Sequence, residues 1–210
     1  MDSVNVSKLK EMLINVCETI IINEPYLTSI DSMIGDGDHG IGMKMGFTAL
    51  RKMLENHGDF STVADLMKLC GLELVKTMGG ASGVIFGTLF TGGIVALGNE
   101  PKATTIQLAD FFFNSEKAIE RRGRSKYGQK TMLDALLPAT ERMKAAAEGG
   151  ASIKEAFKEA YNGAREGVER GKGFVSKMGR SKNFREATIG QPDPGAVSVS
   201  YIFKALYESA

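Results

Sequence analysis

Leu9-Lys10-Glu11-Met12-Leu13-Ile14-Asn15-Val16-Cys17-Glu18-Thr19-Ile20 is the stretch that decides the fold. Leu9, Met12, Leu13, Val16 and Ile20 fall at i, i+3, i+4, i+7 and i+11, which lines them up on one stripe of a 3.6-residue helix. The pattern returns in Val63, Leu66, Met67, Cys70 and Leu74, then in Ile153, Phe157, Ala160, Tyr161, Ala164 and Val168. It closes the chain in Val199, Ile202, Phe203 and Leu206. No segment alternates apolar and polar residues over the length of a strand, so an all-α fold is expected.

Stops and caps divide the chain into helices near 6–24, 40–56, 61–78, 83–97, 105–121, 131–148, 152–170 and 194–208. Pro25 is read as the end of the first. Asp193 followed by Pro194 is an N-cap with proline at the first helical position, and it opens the last. Pro138 should kink the sixth helix or shift its start. Eight helices with short connections suggest an antiparallel bundle or barrel. There is no Pro/Ser-rich linker, low-complexity run or repeat, and residues 1–210 read as a single domain.

With 43% hydrophobic residues the chain can bury a core without disulfide staples. The net charge of +1 lacks the basic excess of a nucleic-acid binder. Cys17 and Cys70 have no metal-type spacing and read as small buried hydrophobes of a reducing compartment. The first residues show no signal-peptide core, so a cytoplasmic location is expected. Thr77–Asn99 carries no charge and is long enough to cross a bilayer. Its seven glycines and its Ser and Thr residues favour a central helix buried on all sides in a soluble domain, with no membrane partner.

The connections Thr28–Gly42, Arg122–Lys130 and Gly171–Asp193, with the turn Gly79–Gly83, are rich in glycine and polar residues. Chemistry is expected there. Asp31-Ser-Met-Ile-Gly-Asp36-Gly-Asp38-His39-Gly40-Ile41-Gly42 packs three carboxylates into eight residues. Carboxylates that close repel one another, and Mg²⁺, which takes a few carboxylate oxygens plus substrate phosphates, removes the repulsion. The plainer alternative is an acidic turn that caps the following helix. Two look-alikes fail. Gly35-x-Gly37-x-x-Gly40 matches a dinucleotide fingerprint, but no strand precedes it and its aspartates oppose a bare pyrophosphate. Asp36-Gly-Asp38 would begin a calcium-hand loop, but Gly40 and Phe47 stand where ligands belong.

Gly79-Gly80-Ala81-Ser82-Gly83 offers free N–H groups and a hydroxyl at a helix start, either an anion site or a plain tight turn. Arg122-Gly123-Arg124-Ser-Lys126-Tyr-Gly128-Gln129-Lys130-Thr131-Met132 misses a P-loop because Gln129 separates Gly128 from Lys130. It remains a basic, glycine-bearing loop or a solvated basic surface. Arg170 to Arg185 holds six basic residues and no acidic one, and a single arginine there is enough to fork onto a phosphate. Acids for metal, amide nests and basic residues together suit phosphoryl transfer, which needs positioning and charge neutralisation more than covalent work by the protein. No Ser-His-Asp or Cys-His set is evident. Of the two histidines, His57 reads as a surface residue, while His39 sits in the acidic loop.

Asp31-x4-Asp36-Gly-Asp38-His39-Gly40, Gly79-Gly-Ala-Ser-Gly83, Gly128-Gln-Lys-Thr-Met-Leu-Asp134 and Asp193-Pro-Gly-Ala196 follow in an order that resembles the ADP-binding L subunits of bacterial dihydroxyacetone kinases, over nearly the whole chain. The resemblance implies an eight-helix antiparallel barrel with nucleotide at one rim. By matched position, Asp31, Asp36 and Asp38 would hold two Mg²⁺ that bridge the phosphates. His39, Gly40, Ile41 and Gly42 would line the nucleotide, Ala81 and Ser82 would lie near the phosphates, and Gly123 and Met132 would flank the adenine. Arg180 would meet phosphate, and Asp193, Pro194 and Gly195 would close the site.

The resemblance further implies ADP kept as a cofactor, converted to ATP by a phosphohistidine-carrying M subunit of the phosphotransferase system and spent on dihydroxyacetone held by a separate K subunit. ATP-dependent relatives fuse this module to a sugar-binding one, so a chain of this length resembles the phosphoenolpyruvate-dependent system. A homodimer is compatible with this reading. Three positions depart from the family pattern: Gln129 stands for an acid, Gln191 for a histidine, and Lys182-Asn-Phe-Arg185 for another run. These keep a tetrulose or another short keto sugar open as substrate. A fatty-acid kinase domain and a non-catalytic ADP-sensing transcriptional co-regulator are the rival readings.

Overall fold

The computed structural model describes residues 2–210 and is helical nearly throughout. Nine α-helices are present among the described residues: α1 (Val6–Ile22), α2 (Glu24–Ile34), α3 (His39–Asn56), α4 (Val63–Met78), α5 (Gly80–Thr91), α6 (Thr105–Gly123), α7 (Leu133–Glu148), α8 (Ile153–Gly171) and α9 (Pro194–Ser209). Short 3₁₀ turns occupy Ile94–Leu97 and Ser181–Thr188. Two three-residue strands, β1 (Ser3–Asn5) and β2 (Lys102–Thr104), pair antiparallel with Val4 opposite Ala103. Strands this short leave no periodic trace in a sequence.

Eight of the helices form a closed ring. α1 packs on α3, α3 on α4, and each helix from α4 to α8 on the next; α9 then packs on both α8 and α1. Their apolar stripes meet inside, where Phe47, Phe90, Phe111, Phe112, Phe157 and Phe203 are almost fully buried. Phe112 meets the edges of Phe111, Phe157 and Phe203 at ring-centre distances of 5.0, 6.1 and 5.1 Å, the tilted geometry that aromatic quadrupoles favour. Local chemistry starts the helices where a sequence can be read for it. Asn5, Thr62 and Asp193 accept a first-turn N–H, and Thr104 with Gln107 and Ser152 with Glu155 form capping boxes.

Four expectations need correction. Pro25 does not simply end α1: it stands in the first turn of an additional helix, α2, where a missing N–H costs nothing. Leu27, Ile30, Asp31 and Ile34 turn the buried side of α2 inward, and this helix lies outside the ring on α3 and α9. The Thr28–Gly42 loop therefore shrinks to Gly35–Asp38. The uncharged helix starts at Gly80 and ends at Thr91, and Gly92-Gly93 breaks it where Gly93 lies against the Phe111 backbone. Nor is it buried on all sides, since Ala81 and Ser82 are exposed while Phe86 to Phe90 face the core. Gly80–Leu97 is long and apolar enough to cross a membrane by length and composition, but the helix is interrupted at this break. Pro138 sits inside α7 as expected, and α7 begins at Leu133 rather than at 131. The carbonyl its missing N–H would have capped, that of Asp134, lies where a Cβ on Gly167 would be.

Because successive ring helices alternate in direction, the starts of α3, α5, α7 and α9 and the ends of α4, α6 and α8 collect at one rim. All four glycine-rich connections lie there.

Candidate functional site

The three carboxylates reach the rim from different local structures. Asp31 projects from the last turn of α2 and is buried, whereas Asp36 and Asp38 are exposed on the Gly35–Asp38 turn. Gly35 is required for this arrangement, because a Cβ there would strike the Asp31 carboxyl, and Gly37 takes a left-handed φ of 76°. One oxygen from each carboxylate lies within 4.8 Å of the other two. Although Asp38 is exposed, partial desolvation of its carboxyl within the cluster, with the neighbouring charges of Asp36 and Asp31, pushes it above its ordinary range. The one cation paired with the cluster among the described residues is Arg180, whose Nη1 lies 2.6 Å from Asp36 Oδ2. An oxygen-only, mutually repelling donor set of this size fits a hard divalent cation. The capping alternative also finds a place: Asp38 makes no side-chain cap, but the His39 N–H donates to Asp31 Oδ2 at 3.1 Å, so the start of α3 is capped from α2.

His39 points into the ring, its Nε2 2.9 Å from Ser198 Oγ on α9 and its ring 6.0 Å from that of Phe86 on α5. Burial lowers its pKa to about 4, against the opposing pull of Asp31. Gly40 lets α3 cross α2 closely, since a Cβ there would meet Thr28 and the Glu24 carbonyl. Gly42 has open space over its Cα, and Ile41 is exposed on the outer side of the same turn.

Gly79 and Gly80 both adopt positive φ, 63° and 56°. They turn the chain from α4 into α5 so that the first helical hydrogen bond of the turn is Gly83 N–H to Gly79 O. The N–H groups of Ala81 and Ser82 precede it and carry the positive end of the helix dipole. Gly123, at the end of α6, abuts Ile85 of α5. Met132, just before α7, lies against Gly195 at the start of α9. Asp193 Oδ2 caps α9 by accepting the Ala196 N–H at 2.8 Å. Although part of Asp193 reaches the surface, protein crowds its carboxyl; burial raises its pKa to about 7, with Asp134 and Asp31 pushing the same way and Lys130 opposing. The predicted residues thus occupy one rim in linked groups: the acids with Arg180, His39 with α5 and α9, Gly123 with α5, and Met132 with Asp193–Gly195. Ile41, Ala81 and Ser82 are exposed.

Sequence reasoning assigned no part to Asp134, Lys130 or Ser198. Asp134 is fully buried and accepts the N–H groups of Gly128 and Thr131, which folds the Gly123–Met132 loop back on α7. Its signal was present as Thr131-Met-Leu-Asp134, a capping-box spacing before an apolar run. Of the three departures, Gln129 accepts the Lys126 N–H through its side chain and the Lys177 N–H through its carbonyl. Arg185 has φ 46° and ψ −126°, a strained conformation for a residue with a side chain. Nothing in the structure accounts for Gln191.

The DAK2 domain family model matches residues 33–208. The ADP-binding subunit DhaL of the PEP-dependent dihydroxyacetone kinase of Escherichia coli (strain K12) is 32% identical over 181 residues, 86% of this chain and 86% of that protein. The L-erythrulose kinase of Pectobacterium atrosepticum is 31% identical over 193 residues, 90% of this chain but 32% of that longer protein. Among solved structures, the dihydroxyacetone kinase from C. freundii in complex with AMP-PNP and Mg²⁺ superposes with a TM-score of 0.75 at 25% identity, covering 100% of this chain and 35% of that one.

Proposed function

The chain belongs to the DAK2 domain family, and on that premise we propose that it is the nucleotide-holding subunit of a dihydroxyacetone-type kinase. In this reading it keeps ADP on the rim, gains a phosphoryl group from a phosphohistidine protein of the phosphotransferase system, and passes it to dihydroxyacetone on a separate sugar-binding subunit in the cytoplasm. The observation that carries the reading is the meeting of three carboxylates within 4.8 Å of one another, at the same rim where α5 starts without a side-chain cap. Acids alone repel phosphate and amides alone bind it weakly; together with divalent cations they bracket a polyphosphate.

Asp31, Asp36 and Asp38 would hold two Mg²⁺, which when bound neutralise charge on the transferring phosphoryl group. The residues themselves do the positioning. Ala81 and Ser82 N–H groups donate to phosphate oxygens, His39 to Gly42 line the nucleotide, and Gly123 and Met132 flank the base. Arg180 supplies a fork for phosphate, and Asp193 to Gly195 hold the far side. None of these groups forms a covalent bond to phosphorus, consistent with catalysis by alignment. The erythrulose kinases among its relatives support a short tetrulose as the second candidate substrate.

The test is to purify the protein without added nucleotide, denature it, and quantify the adenine nucleotide released, with Asp36→Ala and Asp38→Ala alongside. One ADP per chain in the wild type and none in the variants is expected. Wild-type protein that carries no nucleotide with Mg²⁺ present throughout rules out a resident ADP. Phosphoryl transfer from a phosphohistidine protein to dihydroxyacetone or erythrulose then separates the two sugars, and no transfer to either favours an ADP sensor.

A further inference from the structure

Lys130 is only 1% exposed, an unusual place for an ammonium in a rim loop. Its Nζ donates to three backbone carbonyls at the end of α8 and just beyond: Gly171 at 2.8 Å, Phe174 at 3.1 Å and Lys172 at 3.4 Å. Such carbonyls have no partner within the helix and form the negative end of its dipole. Burial lowers the Lys130 pKa, while the more distant charges of Asp193 and Asp134 raise it. A buried cation is costly unless it is held by several partners.

The carbonyl of Lys172 has a second donor, the Gly190 N–H at 2.8 Å. Lys172 and Gly190 are the two ends of a strap, residues 172–190, and Lys130 sits on their junction. The strap is knitted internally, for Ser176 N–H donates to Thr188 Oγ1 at 3.0 Å, and Lys177 N–H donates outward to the Gln129 carbonyl at 3.1 Å. Its mid-part carries Arg180 onto Asp36. Two residues after Lys130 comes Met132, and three after Gly190 comes Asp193.

We propose that Lys130 is a positioning residue: its ammonium clamps the neck of the 172–190 strap and so keeps Arg180 in register with the acidic cluster and with the Met132 side of the site. The consequence for nucleotide rests on the function proposed above; the clamp itself does not. A lysine that merely finished α8 would add stability and leave Arg180 indifferent to it.

The experiment is a double-mutant cycle with Lys130→Met and Arg180→Ala, read by Mg²⁺-ADP affinity, together with amide hydrogen exchange of the strap. Arg180→Ala is expected to weaken binding about tenfold, the worth of one charge-assisted pair. Lys130→Met should lose a similar factor, and the double variant little more than either single, because both act through one contact. The Ser176, Lys177 and Gly190 amides should exchange faster in Lys130→Met. Factors that multiply in the double variant, or unchanged exchange at those amides, overturn the proposal. If Lys130→Met does not fold, wild-type exchange decides: neck amides that exchange as freely as exposed loops rule out the clamp, and protected ones support it. A wild type that ignores Mg²⁺-ADP defeats the nucleotide reading alone, since the exchange comparison still tests the clamp.

Discussion

His39 Nε2 lies 2.9 Å from Ser198 Oγ, and the Ser198 hydroxyl gives its own proton to the Pro194 carbonyl at 2.9 Å. With the hydroxyl's one proton assigned to Pro194, His39 is the donor in the pair and carries its proton on Nε2. The ring is thereby fixed between α3 and the start of α9, and its Nδ1 carries no proton.

Ser198→Ala should leave that N–H without a buried acceptor, at a cost of about 1–3 kcal/mol. Thermal melting should fall by several degrees, while Ser198→Thr keeps most of the wild-type value. Nitrogen NMR shifts of the wild type should report the Nε2–H tautomer at neutral pH; a proton on Nδ1 contradicts the assignment.

The acidic cluster should make stability depend on ligand. Mg²⁺ with ADP at a hundred times its Kd should stabilise the wild type by about 2.7 kcal/mol. Asp36→Asn relieves repulsion in the free protein and removes a ligand oxygen. Its melting temperature without ligand should equal or exceed that of the wild type, and it should rise little when Mg²⁺ and ADP are added. A full ligand shift in Asp36→Asn counts against the metal assignment.

Gly167 lies where any side chain would overlap the Asp134 carbonyl. Both partners are backbone, so neither yields cheaply. Gly167→Ala should destabilise by about 1–3 kcal/mol, lowering the melting temperature by about 2–4 °C for each kcal/mol. Gly58→Ala, with no atom within 4 Å of the added Cβ, is the control and should be near neutral.

Glu116 on α6 is 2% exposed, and its Oε2 finds no aligned hydrogen-bond donor, although Lys117 Nζ lies 3.1 Å away. Burial raises its pKa above the ordinary 4.5, and Lys117 opposes the shift. Because the folded state disfavours the charged form, ionising Glu116 weakens the fold as pH rises above the unfolded value. Glu116→Gln should therefore melt higher than the wild type near neutral pH, and the gap should close once both are taken below about pH 4.5. A gap that widens in acid refutes this.

Much of the architecture was legible in the chain because helices are written in local code. The stripe from Leu9 to Ile20, the cap at Asp193, and the three aspartates between Asp31 and Asp38 all appear where the sequence puts them, while Thr62 and Ser152, read as the first residues of helices, are their caps. Where Pro25 suggested a stop, the same residue suits a first turn equally well, and only contact with α3 and α9 chose the second outcome. Periodicity within Glu24–Ile34 was too short to decide it.

By itself, then, the sequence determined the helical class, eight amphipathic helices in a bundle or barrel, and the acid-rich turn with the glycines that allow it. Tertiary structure decided which distant groups share the rim. It buried Asp31 beside exposed Asp36, brought Arg180 onto that carboxylate across 144 positions, turned His39 to Ser198, and sank Lys130 among carbonyls at the end of α8. The physical reason is range. Helix propensity and capping act over a few residues, whereas burial of charge and pairing of polar groups depend on segments that meet only when the ring closes.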